Sequence, residues 1–304
     1  MDSEKPLIVP SAPPAPPLPS RRTVKLTIAY DGTPFCGWQF QSNGRTVQDE
    51  IERALERVTG VRPNLLGCGR TDAGVHALGQ VATFRSETAI PARNLAAALN
   101  AELPREIRIL SALDVPQNFH PIRDALRKKY RYLMTDRRPF PPFWLNRVWQ
   151  VPKPLDLTPM KSAAAFLLGT HDFRSFQSVG SPRTSTVRTV FSLSVAALET
   201  ATARETMPET LLTGETPDRA SAGLIAVEIE ADGFLYNMVR AIAGTLALIG
   251  ERKRRFESPE RMREILAACD RSEAGPTAPA CGLYLVEAVY PTENTSKQAP
   301  CENR

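Results

Sequence analysis

Residues 67–77 read Gly-Cys-Gly-Arg-Thr-Asp-Ala-Gly-Val-His-Ala and hold a dense group of residues that could do chemistry. The glycines predict a sharply bent backbone that presents Arg70, Thr71 and Asp72 to a cleft. A carboxylate placed there could act as a nucleophile or stabilise an electron-poor centre. Asp72 takes the place of the third glycine of a dinucleotide fingerprint and no P-loop lysine follows, so neither standard phosphate loop fits. The alternative is a plain tight turn in which Asp72 accepts local backbone hydrogen bonds.

A second candidate is Arg240, which is the only charge in the stretch 235–249. This stretch is apolar almost all round, which predicts a buried helix. A guanidinium keeps its proton and is rarely buried alone, so Arg240 would need a carboxylate or an anionic ligand. Gly244, one turn later, permits another element to approach closely. The alternative is that Arg240 extends to the surface from one edge of the helix.

Basic and aromatic residues are interleaved around Tyr130. Between Arg123 and Arg138 there are seven basic and two acidic residues, and strand alternation puts Tyr130 and Tyr132 on one face. Because phosphates attract cations and unstacked bases stack on rings, the pattern is typical of RNA binding. A second basic run occupies 252–255. Either run could instead be a solvated charged edge, with the tyrosines in the core.

The elements that must position these residues alternate between strands and helices. Alternating apolar residues predict a strand over 24–30. Helical spacing predicts a helix over 47–58, with Thr46 as its N-cap and Gly60 as its stop. Two similar α/β halves forming one long sheet are the most economical arrangement. Further strands are predicted at 107–115, 130–134, 147–151, 187–195, 224–230 and 283–290, and further helices at 91–103, 159–168, 235–249 and 259–268.

Charge and composition narrow the class of protein. The 304 residues include 38 Lys and Arg against 33 Asp and Glu, a net charge of +5 that favours a polyanionic partner without specifying one. Five scattered cysteines and three histidines argue against a disulfide framework and a structural zinc site. No apolar run has the length of a transmembrane helix or the form of a secretory signal. We expect a reducing, cytoplasmic location.

The chain divides into a folded region with a distinct segment at each end. Residues 1–21, which contain seven of the 27 prolines, are predicted to be an extended or disordered arm. Residues 22–118 form the N-terminal α/β half, and residues 119–291 form the C-terminal half with the basic and aromatic surface. Residues 292–304 are predicted to be a loose tail, and 196–222 an exposed loop or hairpin tip.

Taken in order, these segments resemble the TruA family of tRNA pseudouridine synthases. The resemblance covers nearly the whole folded region, and its most specific part is Gly-Arg-Thr-Asp-Ala-Gly-Val-His-Ala at 69–77. Other matching segments are Tyr-Asp-Gly at 30–32, Gly-Trp-Gln at 37–39, Lys-Tyr-Arg-Tyr at 129–132, Asn-Met-Val-Arg at 237–240 and Gly-Leu-Tyr-Leu at 282–285. The proline-rich arm and the long 196–222 segment depart from the family pattern.

The resemblance implies an isomerase that converts uridine to pseudouridine in the anticodon stem and loop of tRNA, at positions 38, 39 and 40, without cofactor or metal. It implies that Asp72 is the catalytic carboxylate, that Tyr130 packs against the target base and that Arg240 pairs with the aspartate. It also implies that Arg70 opens the RNA and holds the flipped nucleotide, and that Leu283 lines the apolar wall of the pocket. By the same pattern, the supporting loop residues are Gly69, Thr71 and Gly74.

The fold expected from the pattern and the resemblance is α+β. Two ferredoxin-like or RRM-like halves form an extended, mixed, largely antiparallel sheet with helices on one side and a catalytic cleft between the halves. The resemblance further implies a homodimer in which both subunits contact one tRNA. The residues leave open whether Asp72 attacks the sugar, attacks the base or abstracts a sugar proton, and Tyr130 is a candidate for the base that removes the C5 proton.

Two rival functions remain at this stage. One is a tRNA-binding protein or chaperone that keeps the surface and lacks the chemistry. The other is a phosphate-handling enzyme built on the Asp72 loop, which would need metal-binding carboxylates or a P-loop lysine nearby.

Overall fold

The structure, a computed structural model, describes residues 21–180, 185–198 and 223–291. The predicted arm, the predicted tail and residues 199–222 of the predicted loop lie outside the described residues. The described part has an α+β fold with ten strands and five α-helices. The strands are β1 (Arg22–Tyr30), β2 (Leu66–Gly67), β3 (His76–Ser86), β4 (Ile107–Val115), β5 (Arg127–Thr135), β6 (Trp149–Gln150), β7 (Gly169–Asp172), β8 (Val187–Leu198), β9 (Leu224–Ala231) and β10 (Leu283–Val289). The helices are α1 (Val47–Thr59), α2 (Ala92–Glu102), α3 (Leu157–Ala165), α4 (Met238–Gly250) and α5 (Arg261–Ala268).

All ten strands belong to one sheet, in the order β4-β1-β3-β10-β5-β9-β8-β7, with β2 beside β3 and β6 beside β5. Among the described strands, β10 runs parallel to β3 and β6 parallel to β5, and every other pair is antiparallel. The last strand therefore joins the two halves. Leu285 of β10 pairs with Ala77 of β3 on one side and with Tyr130 of β5 on the other. This confirms the predicted mixed, largely antiparallel sheet.

The first helix forms where the sequence predicts it. Thr46 caps its start, with the hydroxyl oxygen accepting the Asp49 N–H at 3.4 Å. Gly60 ends it in the left-handed conformation at φ 78°, which a glycine adopts without steric cost. The apolar face of α1, including Ile51 and Leu55, shares one core with the alternate buried residues of β1. Helix α2 packs beside it against β4, so the helices cover one face of this half.

Most predicted bounds differ from those in the structure by up to three residues, and two of these differences have a clear local cause. The apolar helix begins at Met238, not at residue 235, because Asn237 takes a left-handed conformation at φ 61° that the helix cannot include. The strand predicted at 147–151 shrinks to the two residues of β6. Asn146 also has φ 61°, and the Val148 N–H turns back to the Trp144 carbonyl at 3.1 Å, so the chain can extend only after this turn. The short strand β7 was not predicted.

A segment that contains one short 3-10 helix, Pro142–Trp144, covers the centre of the opposite sheet face and spans residues 139–148. Trp144 and Val148 from this segment pack with Leu133, Ala226 and Tyr284 in a second, smaller buried cluster. The main core, on the first face, contains buried apolar residues from all five helices. None of the helices in the described ranges is both long and apolar enough to cross a membrane.

Candidate active site

The loop between β2 and β3 meets the first turn of α4 across the junction of the two halves. The Arg240 guanidinium donates from Nη1 to Asp72 Oδ2 over 3.2 Å. The side chain of Arg240 is 17% exposed and that of Asp72 is 33% exposed, so the pair is partly shielded but open to a ligand. Arg240 is thus not a surface residue reaching out from a helix edge. It supplies a fixed positive charge beside the only carboxylate of the loop.

Two further partners orient the Arg240 guanidinium. Nε donates to the Ala278 carbonyl at 2.7 Å, and Nη1 also donates to Asn237 Oδ1 at 2.9 Å. The Ala278 N–H in turn donates to the Arg240 carbonyl at 3.1 Å. The segment before β10 can lie this close because residue 244 is glycine: a Cβ there would stand 1.9 Å from the Pro276 carbonyl oxygen. The sequence-based expectation of a close approach at Gly244 is therefore confirmed.

The loop between β2 and β3 is anchored by β1 and by the segment that follows β1. The Tyr30 hydroxyl and Thr71 Oγ1 share a buried hydrogen bond of 2.8 Å. Burial raises the pKa of the Tyr30 phenol well above its usual range, so the hydroxyl stays protonated at neutral pH. The Trp38 N–H donates to the Thr71 carbonyl at 3.0 Å. Thr71 is held through both its side chain and its backbone, and Asp72 follows it directly.

Glycines shape the loop on either side of Asp72. Gly74 has φ 77°, and the Val75 N–H donates to the Asp72 carbonyl at 3.1 Å, which closes a tight turn. Gly37 has φ 96°, and a Cβ there would lie 2.6 Å from the Thr71 carbonyl oxygen. The tight-turn alternative thus describes the backbone correctly. The Asp72 carboxylate, however, points away from that turn to Arg240.

Leu283 lies at the start of β10, which adjoins β3, and Tyr130 lies one strand further along the sheet, on β5. Tyr130 of β5 is 8% exposed and its ring meets Phe234 edge-on, with 4.9 Å between centroids. Leu283 is 7% exposed and pairs with Tyr132 on the neighbouring strand. Strand β10 therefore separates Tyr130 from β3 and its preceding loop. These two side chains give the floor near the junction an apolar and aromatic character.

The remaining predicted loop residues are Gly69 and Arg70. The Gly69 carbonyl accepts a hydrogen bond of 2.8 Å from Gln80 Nε2, and the preceding carbonyl, of Cys68, accepts one from Lys128 Nζ. Arg70 is exposed and has no hydrogen bond or ion pair within the described ranges. Its charge, which no described residue neutralises, lies two residues from Asp72. No group of three His, Cys, Asp or Glu side chains converges as a metal site in the part of the chain that the structure describes.

Comparison with known proteins identifies the family. A family model described as tRNA pseudouridine synthase matches residues 26–122 and 163–291. The chain belongs to the tRNA pseudouridine synthase family. It is 42% identical over 269 residues to the tRNA pseudouridine synthase A of Thermoanaerobacter sp. (strain X514), a match covering 88% of this chain and 100% of the relative. It is 43% identical over 270 residues to the enzyme of that name from Acetivibrio thermocellus, again covering 88% and 100%. The resemblance found in the sequence is confirmed, and the chain is an isomerase of the pseudouridine synthase class.

Much of the first basic run of this pseudouridine synthase is neutralised within the sheet. Arg127 pairs with Glu230 at 3.0 Å. Lys129 and Arg131 pair with Glu228 at 3.0 and 2.5 Å. These cross-strand pairs between β5 and β9 agree with the charged-edge alternative for these three residues. In the second run, Arg252 and Arg255 pair with Asp156 and Glu273 in the same way.

Sequence reasoning missed several residues that build this site of the pseudouridine synthase. The sequence places Tyr30 in a strand and Asn237 in a helix, each within a matching segment, but it predicts no contact for either residue and no role for residues 276–278. Gly244 was the one feature of the sequence that indicated a segment packed against α4, since a glycine in a buried helix indicates a close neighbour. The contact of Tyr30 could not be read from spacing, because Thr71 lies 41 residues away. Asn237 is only three residues from Arg240, but its left-handed backbone conformation is not predicted by the helical pattern.

Proposed function

We propose that this pseudouridine synthase converts uridine to pseudouridine in the anticodon stem and loop of tRNA, at positions 38, 39 and 40, with Asp72 as the catalytic carboxylate. The observation that carries the proposal is the Asp72–Arg240 contact of 3.2 Å at the junction of the halves, in a chain of this family. The names of the relatives, each a tRNA pseudouridine synthase A, support tRNA as the substrate.

The reaction is an isomerisation that neither gains nor loses atoms. The bond from N1 of uracil to the sugar breaks, the base turns, a bond from C5 to the sugar forms, and the proton on C5 is exchanged for one on N1. The target base must first leave the helical stack, which costs a few kcal/mol. A captive base needs an enclosing pocket, and the partly shielded Asp72–Arg240 pair supports a site of this kind at the junction of the halves.

We assign Asp72 the role of nucleophile or charge stabiliser toward the reacting uridine. Arg240 holds the carboxylate at one oxygen, through Oδ2, and leaves the other oxygen for the substrate. Because the guanidinium is itself fixed by Ala278 and Asn237, the carboxylate is oriented before the substrate arrives. This preorganisation is what the junction of the two halves contributes to the chemistry.

The other family positions take supporting roles in the proposal. Tyr130 supplies the face on which the flipped base stacks, and its hydroxyl is the candidate base for the C5 proton. Leu283 lines the apolar wall. Arg70, exposed and without a partner in the described ranges, enters the RNA and holds the displaced nucleotide through its phosphate or base.

Release of tritium from tRNA labelled at uracil C5 tests the catalytic assignment. We expect Asp72→Asn to abolish release while retaining tRNA binding, because the neutral amide keeps the size of the side chain and loses the charge. The matched control is Glu264→Gln, which removes a carboxylate that is 64% exposed on α5 and should leave the rate unchanged. Substantial release by Asp72→Asn would refute the assignment, and no release by the unaltered protein, even in a single turnover, would favour the non-catalytic rival.

Replacement of Tyr130 by Phe tests the proton-transfer role separately. The ring and its contact with Phe234 remain, so stacking should persist while transfer of the C5 proton is lost. Full activity in Tyr130→Phe would remove the hydroxyl from the mechanism and leave only stacking. Tyr130→Ala should then still lower the rate, because it removes the ring.

We further propose that the enzyme works in the cytoplasm as a homodimer whose two subunits contact one tRNA, without metal or cofactor. Light scattering of the protein alone and with tRNA would measure two chains per complex. Activity that survives dialysis against EDTA would support the metal-free reaction. A monomeric protein with full activity would contradict the dimer.

A further inference from the structure

A cavity of about 290 Å³ opens at the start of β1, at the opposite end of that strand from the catalytic loop. Tyr30, which contacts Thr71, ends β1, and Thr23 stands seven residues earlier. At roughly 3.3 Å per residue the separation is about 23 Å. The cavity is therefore distinct from the site around Asp72. Its lining residues are Arg21, Arg22, Thr23, Arg85, Gln117 and Asn118.

The charge of the lining is wholly positive. Neither Arg21 nor Arg85 pairs with a carboxylate of the described residues. Arg22 has one such partner, Asp114, at 3.1 Å, which leaves an uncompensated charge of two arginines. Arginine side chains that outnumber the carboxylates beside them around a cavity favour the binding of an anion.

A buried hydroxyl supplies a second, independent observation. Thr23 is 4% exposed, and its Oγ1 has no hydrogen-bond partner within the described part of the chain. Thr23 pairs directly with Arg85 across β1 and β3, so the hydroxyl and the arginine belong to the same patch. Burying a hydroxyl without a partner costs free energy. Thr23 lines the cavity, so a ligand that draws its side chain toward the cavity would supply the missing partner.

We propose that this cavity binds a backbone phosphate of the tRNA, outside the stem and loop that occupy the catalytic site. The inference rests on the proposed function, because a tRNA engaged at Asp72 extends well beyond that site. Several arginines, two amide side chains and a hydroxyl match the oxygens of a phosphodiester, and a cavity of about 290 Å³ has room for the phosphate with part of its sugar. Such a contact would hold the tRNA at two points along one sheet.

The salt dependence of tRNA binding tests this site. We expect Arg85→Gln to lower the slope of log affinity against log salt by about 0.7 to 0.9, the effect of losing one phosphate contact, with whole tRNA. The same variant should bind an isolated anticodon stem and loop like the unaltered protein. Arg93→Gln is the matched control, since Arg93 is an equally exposed arginine without a partner in the described ranges, on α2. Equal slopes for Arg85→Gln and the unaltered protein would overturn the proposal.

Thr23→Val separates a ligand site from a merely structural one. Valine matches threonine in shape and has no hydroxyl, so the free protein should unfold at an equal or higher temperature while whole tRNA binds more weakly. If Thr23→Val binds tRNA more weakly and also unfolds at a lower temperature, the weaker binding is explained by misfolding, and this result would contradict the proposal.

Titration with inorganic phosphate distinguishes the two sources of a phosphate group. Phosphate binding that Arg85→Gln abolishes, combined with an unchanged tRNA slope, would assign the cavity to a free anion and overturn its role in RNA binding. Pseudouridine formation is measured in the same samples. An unaltered protein that forms no product refutes the proposed function, whereas a normal rate with an unaffected Arg85→Gln slope refutes this site alone.

Discussion

Asp72 and Arg240 are 168 residues apart in the chain, yet they share a hydrogen bond of 3.2 Å where the two halves of the sheet meet. One residue follows a short strand of the N-terminal half, and the other begins the buried helix of the C-terminal half. The contact exists because β10, the last strand, inserts between β3 and β5, and the segment before it supports Arg240. The proposed catalytic carboxylate is therefore complete only when the whole chain has folded.

Arg240→Ala should impair both stability and rate. The variant leaves the Ala278 carbonyl and the Asn237 amide without their charged partner, and we expect the free energy of unfolding to fall by about 2 kcal/mol. Arg240→Lys keeps the charge but cannot make the three contacts together, so it should recover more stability than rate. Urea unfolding and tritium release, measured on both variants, check this. Equal recovery of stability and rate by lysine would contradict an orienting role.

Tyr30→Phe should slow catalysis without weakening tRNA binding. The variant removes the hydrogen bond to Thr71, so the unfolding free energy should drop by about 1 kcal/mol, and kcat should fall while KM for tRNA stays constant because Asp72 loses its fixed neighbour. Tyr290→Phe is the control: it also removes a hydroxyl, one that donates to the Pro121 carbonyl at 2.7 Å. If both variants lose the same share of kcat, the Tyr30 contact has no special effect on the loop.

Gly244→Ala should destabilise the protein although alanine favours helices. The new methyl group would overlap the Pro276 carbonyl, and overpacking of this kind costs about 1 to 3 kcal/mol. If the 276–278 segment moves to relieve this overlap, it moves away from Arg240, and the rate of pseudouridine formation should fall as well. Gly223→Ala is the control, because none of the described residues has an atom within 4 Å of a Cβ there. Thermal unfolding of the two variants gives the comparison. An unchanged midpoint temperature for Gly244→Ala would contradict the prediction, because it would mean that the 276–278 segment moves aside without a cost in stability.

Glu228→Gln should reveal a pH-dependent contribution from the β5–β9 ion pairs. Burial alone would raise the pKa of Glu228, but hydrogen bonds from Lys129 and Arg131 outweigh it and lower the pKa. A lowered folded-state pKa means stability that is present above the ordinary glutamate value of about 4.3 and lost as the pH falls through the folded value. We expect the variant to be about 1 kcal/mol less stable at pH 7 and to approach the unaltered protein near pH 3. A difference that stays constant from pH 7 to pH 3 in urea unfolding would contradict this.

The sequence determined the elements whose signals are local. Alternation identified β1, and the capping threonine and terminal glycine identified α1, because each depends on hydrogen bonds and conformations within a few residues. The family could also be recognised from the sequence alone, since the motif around Asp72 is a contiguous run of residues. The predicted bounds of β6 and α4 were wrong because Asn146 and Asn237 adopt the left-handed backbone conformation. Asparagine tolerates this conformation because its short polar side chain can form local hydrogen bonds.

Only the tertiary structure decided which distant residues meet. Strand pairing placed β10 between the halves, carried Arg240 to Asp72, and matched Lys129 and Arg131 with Glu228 instead of leaving them for RNA. The basic run could be counted in the sequence, but its free charge could not, because the neutralising acids lie on β9. Conversely, the arginines at the start of β1 and the end of β3 form one patch only through the β1–β3 register. The interaction between two charges depends on their distance in space, and tertiary packing, which local sequence does not specify, determines that distance.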